Sequence, residues 1–335
     1  MPVWTARLGP PRPWEREGGP EWQTAAVPNP SLPSRVRHTL APRLRRTVGA
    51  RLDDLAVRRL RTLAEREATG QPVPPELAPG VVQAFGAVVS RHGSRDLAAA
   101  EAPVLAAFEG LWGADFEARP PSPAVRDLIV KQFHRLYYHS LDRTWKDTYY
   151  RGVTIWKCPL DLWLYQELLH ELRPALIVET GTAFGGSAYV LGDLCDTLEL
   201  DAQILTIDIE SKDGRPDHSR VRYITASSTD PAIVQEVRDA VPTGGTVLVI
   251  LDSDHSRDHV LEELRAYADL VSVGSYVVVE DTNVNGHPAY PEFGPGPMEA
   301  VDAFLAEDDR FVVDDSREKF FMTFNPRGYL KKIKP

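Results

Sequence analysis

The sequence predicts an α/β protein: a Rossmann-like sheet of mostly parallel strands with a closing antiparallel hairpin, preceded by a mainly helical N-terminal extension. Three observations predict it. Short apolar runs rich in branched side chains alternate with helical periods from about residue 160 onward, the pattern of repeated βαβ units. One run, Leu176 to Ser187 (LIVETGTAFGGS), ends in an acid and a glycine-rich turn before a serine opens a helix. Two further runs, LVILDSDHS and VVVEDTN, end in acids at the edge where open α/β sheets bind their ligands.

In chain order, residues 1–33 are rich in Pro and Gly without a period and read as a flexible head, with Trp4, Trp14 and Trp22 available to pack it onto a neighbour. Residues 34–144 read as a helical region. Its arginine-rich part, 43–66, carries Leu44, Val48, Leu52, Leu55, Leu60 and Leu63 at near-helical spacing. That stripe is read as a solvated basic face over packed apolar residues, or as a contact for an acidic partner or a second copy. After a Pro-rich break come helical candidates at 78–92, 94–112 and 124–140. Residues 145–335 form the α/β domain. An aromatic stretch, WKDTYYRGVTIWKCP, leads into a helix over 160–172 with Asp161 near its start. Strands are expected near 175–179, 203–208, 221–225, 246–251 and 275–280, with helices near 187–199, 231–240 and 256–269. A Gly/Pro loop from Asn285 to Pro297, a helix at 298–307 and strands at 310–314 and 319–324 follow.

Composition narrows the class. With 335 residues, 43% of them hydrophobic, the chain can bury a sizeable core. A formal net charge of −10 argues against general nucleic-acid binding. Cys158 and Cys195 make no disulfide framework. No apolar run reaches the ~20 residues of a membrane span, and no signal-peptide pattern opens the sequence, so a cytoplasmic protein is expected.

The spacing acid-x-G-x-x-x-G at 179–185 differs from the G-x-G-x-x-G turn that brings a helix N-terminus to a pyrophosphate. S-adenosylmethionine carries no phosphate, and its ammonium suits an acid at a strand end. Glu179, Gly181, Thr182, Gly185 and Ser187 are therefore the expected cofactor corner. Asp208, at the end of the next strand, is the expected partner of the ribose hydroxyls. Ser227 and Ser228 are placed at the adenine end, or as caps of the helix after Pro231. Asp252, Asp254 and His255 on one strand end, with Glu280 and Asp281 on another, gather acids that repel unless a cation joins them, and hard oxygen ligands favour Mg²⁺. His255 and His259 have no zinc spacing with the two cysteines.

The stretches KCPLDLW at 157–163, ETGTAFGGS at 179–187, ILDSDHS at 250–256, VGSYVVVEDTNVNGHP at 273–288, FGPGPMEAV at 293–301 and FNPRGYL at 324–330 resemble the cephalosporin hydroxylase and rhamnosyl O-methyltransferase family. The resemblance covers about 145–333. It implies a class I methyltransferase fold, S-adenosylmethionine in the glycine-rich corner, Mg²⁺ held by Asp252, Glu280 and Asp281, and His255 in the position of a catalytic base. A vicinal diol suits such a metal, so the acceptor is expected to be a sugar or polyhydroxylated natural product, as in antibiotic tailoring, methylated after metal-assisted deprotonation. His287, Tyr290 and Phe293 are candidates for the acceptor pocket or for packing of their own loop. A hydroxylase reading comes only with the family name, because no H-x-D with a distant His fits the strand pattern. A non-catalytic cofactor-binding partner protein is the other alternative.

The apolar stripe at 43–66 and the aromatic head predict a homo-oligomer, since such a face requires a cover. Light scattering at micromolar protein should give more than the monomer mass, and a monomer both with and without residues 1–70 would refute this.

Overall fold

A computed structural model describes residues 123–335. The head, the basic helix at 43–66 and the helical candidates at 78–92 and 94–112 lie outside these residues. Helix α1 spans Pro123–His139 and is followed by two short 3-10 turns and a small hairpin, β1 (Tyr149–Tyr150) with β2 (Val153–Thr154). The main domain then runs α2 (Pro159–Leu172), β3 (Leu176–Thr180), α3 (Gly186–Thr197), β4 (Gln203–Asp208), β5 (Val221–Thr225), α4 (Pro231–Asp239), β6 (Val247–Leu251), α5 (Arg257–Tyr267), β7 (Tyr276–Val279), α6 (Pro297–Glu307), β8 (Phe311–Val313) and β9 (Tyr329–Lys332).

The seven-stranded sheet has the order β5-β4-β3-β6-β7-β9-β8. Its first five members are parallel, and β9 inserts antiparallel between β7 and β8. Strand order reverses at β3, which pairs with β4 on one side and β6 on the other, leaving the ligand-binding crevice of such sheets at the carboxyl ends of β3 and β6. The all-buried runs LIVET and VLVIL form central strands because both sheet faces are covered. Ile177, Ile204, Leu248, Ile250 and Val278 pack under α2 and α3 through Leu164, Leu168, Ala188 and Leu191. Their alternates Val178, Leu205, Val249, Val277 and Val279 pack under α4, α5 and α6 through Val237, Leu264 and Phe304. Arg265 and Glu307 also join α5 to α6, at 2.6 Å, but both side chains are about half exposed. Solvent screens such a pair, whereas each buried Leu or Phe is worth ~1.5–3 kcal/mol, so apolar packing holds the layer.

Two expectations need correction. The run at 319–324 is not a strand: Phe320 and Phe321 take left-handed backbone angles in a 3-10 turn, φ 71° and 60°, which no strand permits. Met322 and Phe324 instead form a small cluster with Cys158, against which Tyr137, Tyr138 and Trp145 pack. This anchors α1 to the domain, with the His134 and Phe324 rings stacked at 5.7 Å. The closing strand is YLKK at 329–332, disguised by Lys332, whose buried ammonium donates to the Ala268 carbonyl at 3.1 Å. The helix after Pro231 is capped by Asp230, whose carboxylate accepts from Ala232 N–H, and not by Ser227 or Ser228. Both cysteines are free and buried. Among the described residues no helix is long and apolar enough to cross a membrane.

His134 on α1 is buried, and its Nε2 lies 2.8 Å from Asn283 Nδ2, a donor, so the ring accepts there. Burial pushes its pKa down to about 4. A histidine depressed in the folded state binds its proton first in the unfolded chain, so its contribution to stability is lost as pH falls from about 6.5 towards 4. Denaturant titrations at pH 7 and pH 4.5 should show an acid-side loss larger by ~2 kcal/mol in the wild type than in His134→Gln. Equal losses would show that His134 is not the titrating group.

Candidate active site

The turn after β3 is fixed by contacts within the protein. Gly181 has φ +83°, and a Cβ there would stand 1.8 Å from the Asp252 carbonyl oxygen at the end of β6. Gly185, the N-cap of α3 at φ +80°, lies against the Tyr223 hydroxyl, and Gly186 against the Thr154 carbonyl. The glycines are therefore required by close backbone and side-chain approach. Glu179 and Thr206 are register partners on β3 and β4. Glu179 is fully buried and accepts from Ser187 Oγ and, at 2.7 Å, from Thr206 Oγ1, which also meets Thr182 Oγ1 at 2.7 Å. Burial raises its pKa to about 7 despite Lys157 nearby. Its carboxylate thus braces the turn from below instead of opening onto the crevice.

Asp208 sits where β4 ends. Its Oδ2 accepts the Thr182 and Ala183 amides at 3.0 and 2.8 Å and pairs with Arg215 at 3.2 Å, while Oδ1 accepts Glu210 N–H at 2.8 Å. Ser228 Oγ donates to the fully buried Glu263 at 2.5 Å, which also accepts from Ser253 at 2.7 Å, so one carboxylate ties the loops after β5 and β6. Ser227 Oγ contacts only Thr229, at 3.3 Å.

The acids after β6 and β7 converge beside this turn. One ligand atom from each of Asp252, His255 and Asp281 lies within 4.8 Å of the others, all three side chains half-buried. His255 Nε2 is 3.3 Å from Asp281 Oδ2. Burial lowers the basicity of this imidazole, but the Asp281 and Asp252 carboxylates outweigh it and raise its pKa. Burial likewise raises Asp252 and Asp281, opposed by Lys157 and by His255 respectively. Glu280 faces the other way: it is buried and accepts from Lys157 Nζ at 2.5 Å and from the Tyr165 hydroxyl. Lys157 also reaches Asp252 Oδ2 at 2.7 Å. Consecutive acids point apart, as neighbours at the end of a strand do, and Asp281 takes a left-handed φ of 53°, an uncommon angle for an aspartate, where the strand stops. The turn after it is stitched to 324–326, with Asn283 N–H donating to the Phe324 carbonyl at 3.1 Å and Thr282 Oγ1 to the Pro326 carbonyl at 2.6 Å.

In the loop before α6, His287 Nε2 lies 2.9 Å from Glu299 Oε1, so His287 holds the loop to the first turn of α6. Tyr290 and Phe293 present exposed rings 5.7 Å apart. Burial, with Asp281 and Tyr290 nearby, raises the Tyr138 phenol. Sequence reasoning gave no role to Lys157, Tyr165, Arg215 or Glu263. Only Lys157 had a signal, a lone lysine inside the apolar frame IWKCPL.

The family model described as Rhamnosyl O-methyltransferase/CmcI matches residues 142–333, more than half of the chain. A curated rhamnosyl O-methyltransferase of Mycobacterium tuberculosis (strain H37Rv) is 42% identical over 212 residues, which cover 61% of this chain and 85% of that protein. Its counterpart from Mycobacterium leprae is 38% identical over 211 residues, covering 61% and 90%. Among solved structures, apo CmcI-N160 is 24% identical, with a TM-score of 0.46 over 57% of this chain and 78% of that one. With the glycine turn, the strand-end acids and the reversing sheet all inside the matched span, the chain belongs to the rhamnosyl O-methyltransferase/CmcI family of methyltransferases.

Proposed function

We propose that this chain transfers a methyl group from S-adenosylmethionine to a hydroxyl of a sugar or another polyhydroxylated natural product, with the help of Mg²⁺. The observation that carries this reading is the convergence of Asp252, His255 and Asp281 beside the β3 turn, at the point where strand order reverses. The curated relatives are named for rhamnosyl groups, and a sugar offers the neighbouring hydroxyls that a carboxylate-held cation favours. The converging group fits a hard divalent ion: Asp252 and Asp281 bring carboxylate oxygens together beside His255, and Glu280, turned inward, is joined to Asp252 through the ammonium of Lys157. It contains one histidine, short of the two in a non-haem iron triad, which disfavours a hydroxylase.

When bound, S-adenosylmethionine supplies an electrophilic methyl and the divalent ion makes an acceptor hydroxyl more acidic. The chain's own residues do the rest. Asp252, Glu280 and Asp281 are assigned to the metal, and His255, made more basic by Asp281, to taking the hydroxyl proton. Asp208, already gripping the turn amides, is assigned to the ribose, and Gly181, Thr182, Gly185 and Ser187 shape the cofactor corner under the buried Glu179. Ser227 and Ser228 border its adenine end. Tyr290 and Phe293 wall the acceptor mouth, and His287 holds their loop in place.

Calorimetry should show S-adenosylhomocysteine binding to the wild type and ~10–100-fold weaker binding to Asp208→Ala, the loss expected of a charged hydrogen-bond partner. Unchanged affinity in Asp208→Ala would reassign the ribose site.

Incubation with S-adenosylmethionine, Mg²⁺ and a panel of glycosylated metabolites should yield a product heavier by one methyl, and EDTA should abolish it. His255→Ala should keep metal and cofactor affinity while losing ~10²–10⁴-fold in turnover. Asp252→Ala should recover part of its lost activity in excess Mg²⁺. Full activity in EDTA would rule out the metal, and an unimpaired His255→Ala would remove the base.

A further inference from the structure

Lys157 lies two residues before α2, in the frame IWKCPL, with its side chain only 3% exposed. Its ammonium stands 2.7 Å from Asp252 Oδ2 and 2.5 Å from Glu280 Oε1. Tyr165, in the second turn of α2 and fully buried, donates to the same Glu280 oxygen. A single cation therefore bridges two of the three carboxylates assigned above to a divalent ion. Two carboxylates confined in a protein interior without a positive partner are strongly unfavourable, and an ammonium hydrogen-bonded to both offsets that cost. Lysine suits this position because it is a compact point charge on a flexible stem, able to serve two acceptors in different directions.

We propose that Lys157 is a built-in counter-ion for the metal site: it holds Asp252 and Glu280 together without a divalent ion, and it lowers the affinity of the site for that ion. The inference rests on the metal reading of Asp252, Glu280 and Asp281. Both halves have one electrostatic origin. The charge that compensates the carboxylates in the metal-free protein repels a divalent cation brought to the same oxygens, in a place where water screens poorly. Lys157 is on this view a positioning residue, acting through the acids. It sits on the segment leading into α2, whereas its partners end β6 and β7, so it also ties that segment to the catalytic edge.

The test uses the full chain, with Mn²⁺ as the probe. Lys157→Met should bind Mn²⁺ ~10-fold or more tightly than wild type by calorimetry. Its metal-free form should melt several degrees lower (~5 °C or more), and saturating Mn²⁺ should close most of that gap. Lys157→Arg keeps the charge and should stay within ~3-fold of the wild-type affinity. Unchanged or weaker Mn²⁺ binding by Lys157→Met, an unchanged melting temperature, or an Arg variant that behaves like the Met variant each overturns the inference. So does a Lys157→Met protein that cannot be recovered folded even in excess Mn²⁺, because a divalent ion would then not replace the ammonium. Wild type that binds no Mn²⁺ overturns the metal reading together with the role of Lys157, whereas wild-type binding with an unaltered Met variant sinks only the latter.

Discussion

Two chain segments cross at the head of the sheet with no room for a side chain between them, and the site is built on that crossing. A Cβ at residue 181 would lie 1.8 Å from the Asp252 carbonyl oxygen, so the turn after β3 and the end of β6 share one wall. Neighbouring hydrogen bonds lock the same corner: Asp252 N–H donates to the Thr180 carbonyl at 2.9 Å and Gly181 N–H to the Ile207 carbonyl at 2.7 Å. Asp208 then grips two amides of the turn from the far side. The turn and Asp252, assigned above to the metal, are thereby fastened to each other, as positioning a methyl donor against an acceptor within a fraction of an ångström requires. A second crossing of the same kind serves β7, where a Cβ at Gly328 would stand 2.2 Å from the Val279 carbonyl.

The neighbours Glu280 and Asp281 divide their work. Glu280 looks inward to Lys157 and Tyr165, and Asp281 looks outward to His255. An extended backbone would also send them to opposite faces, but the left-handed angle at Asp281 ends the strand there and turns the chain towards 324–326, where its N–H meets Asn325 Oδ1 at 3.2 Å. That strained residue persists because the 281–284 turn is fastened on several sides. The FNPRGYL stretch, far from the chemistry in sequence, is one of the fastenings.

Much of this was legible in the sequence for a simple reason. Parallel strands buried on both faces leave unbroken apolar runs, and acids at the ends of such runs fall on the carboxyl edge of the sheet, so the places of Asp208, Asp252, Glu280 and Asp281 in the fold were legible without coordinates, whereas the burial of Glu179 beneath the turn was not. Roles that depend on distant partners were not legible. Lys157 meets Asp252 across 95 residues and Glu280 across 123, and no local period records that pairing. The glycines are expected from the sequence to shape a cofactor corner, and in the structure what approaches Gly181 is a backbone carbonyl. FFMTF has the composition of a strand, yet its Met322 and Phe324 side chains are used to hold α1, and the strand itself carries two lysines. In that stretch tertiary packing overrides local propensity.

The place of β9 in the sheet has a consequence for synthesis. Strand β7, YVVV, pairs with β6 on one side, but its other edge is completed only by residues 329–331, beyond β8 and the 3-10 turns Asp315–Arg317 and Lys319–Phe321. At ~5–20 residues per second, the ribosome leaves that edge without its partner for several seconds after Val279 is made. During that interval a short edge made of a tyrosine and three valines stands ready to pair with another chain. A truncation before Tyr329 would make the interval permanent. It would leave the helical layers intact in sequence while turning the strand that carries Glu280 and Asp281 into a seam for aggregation.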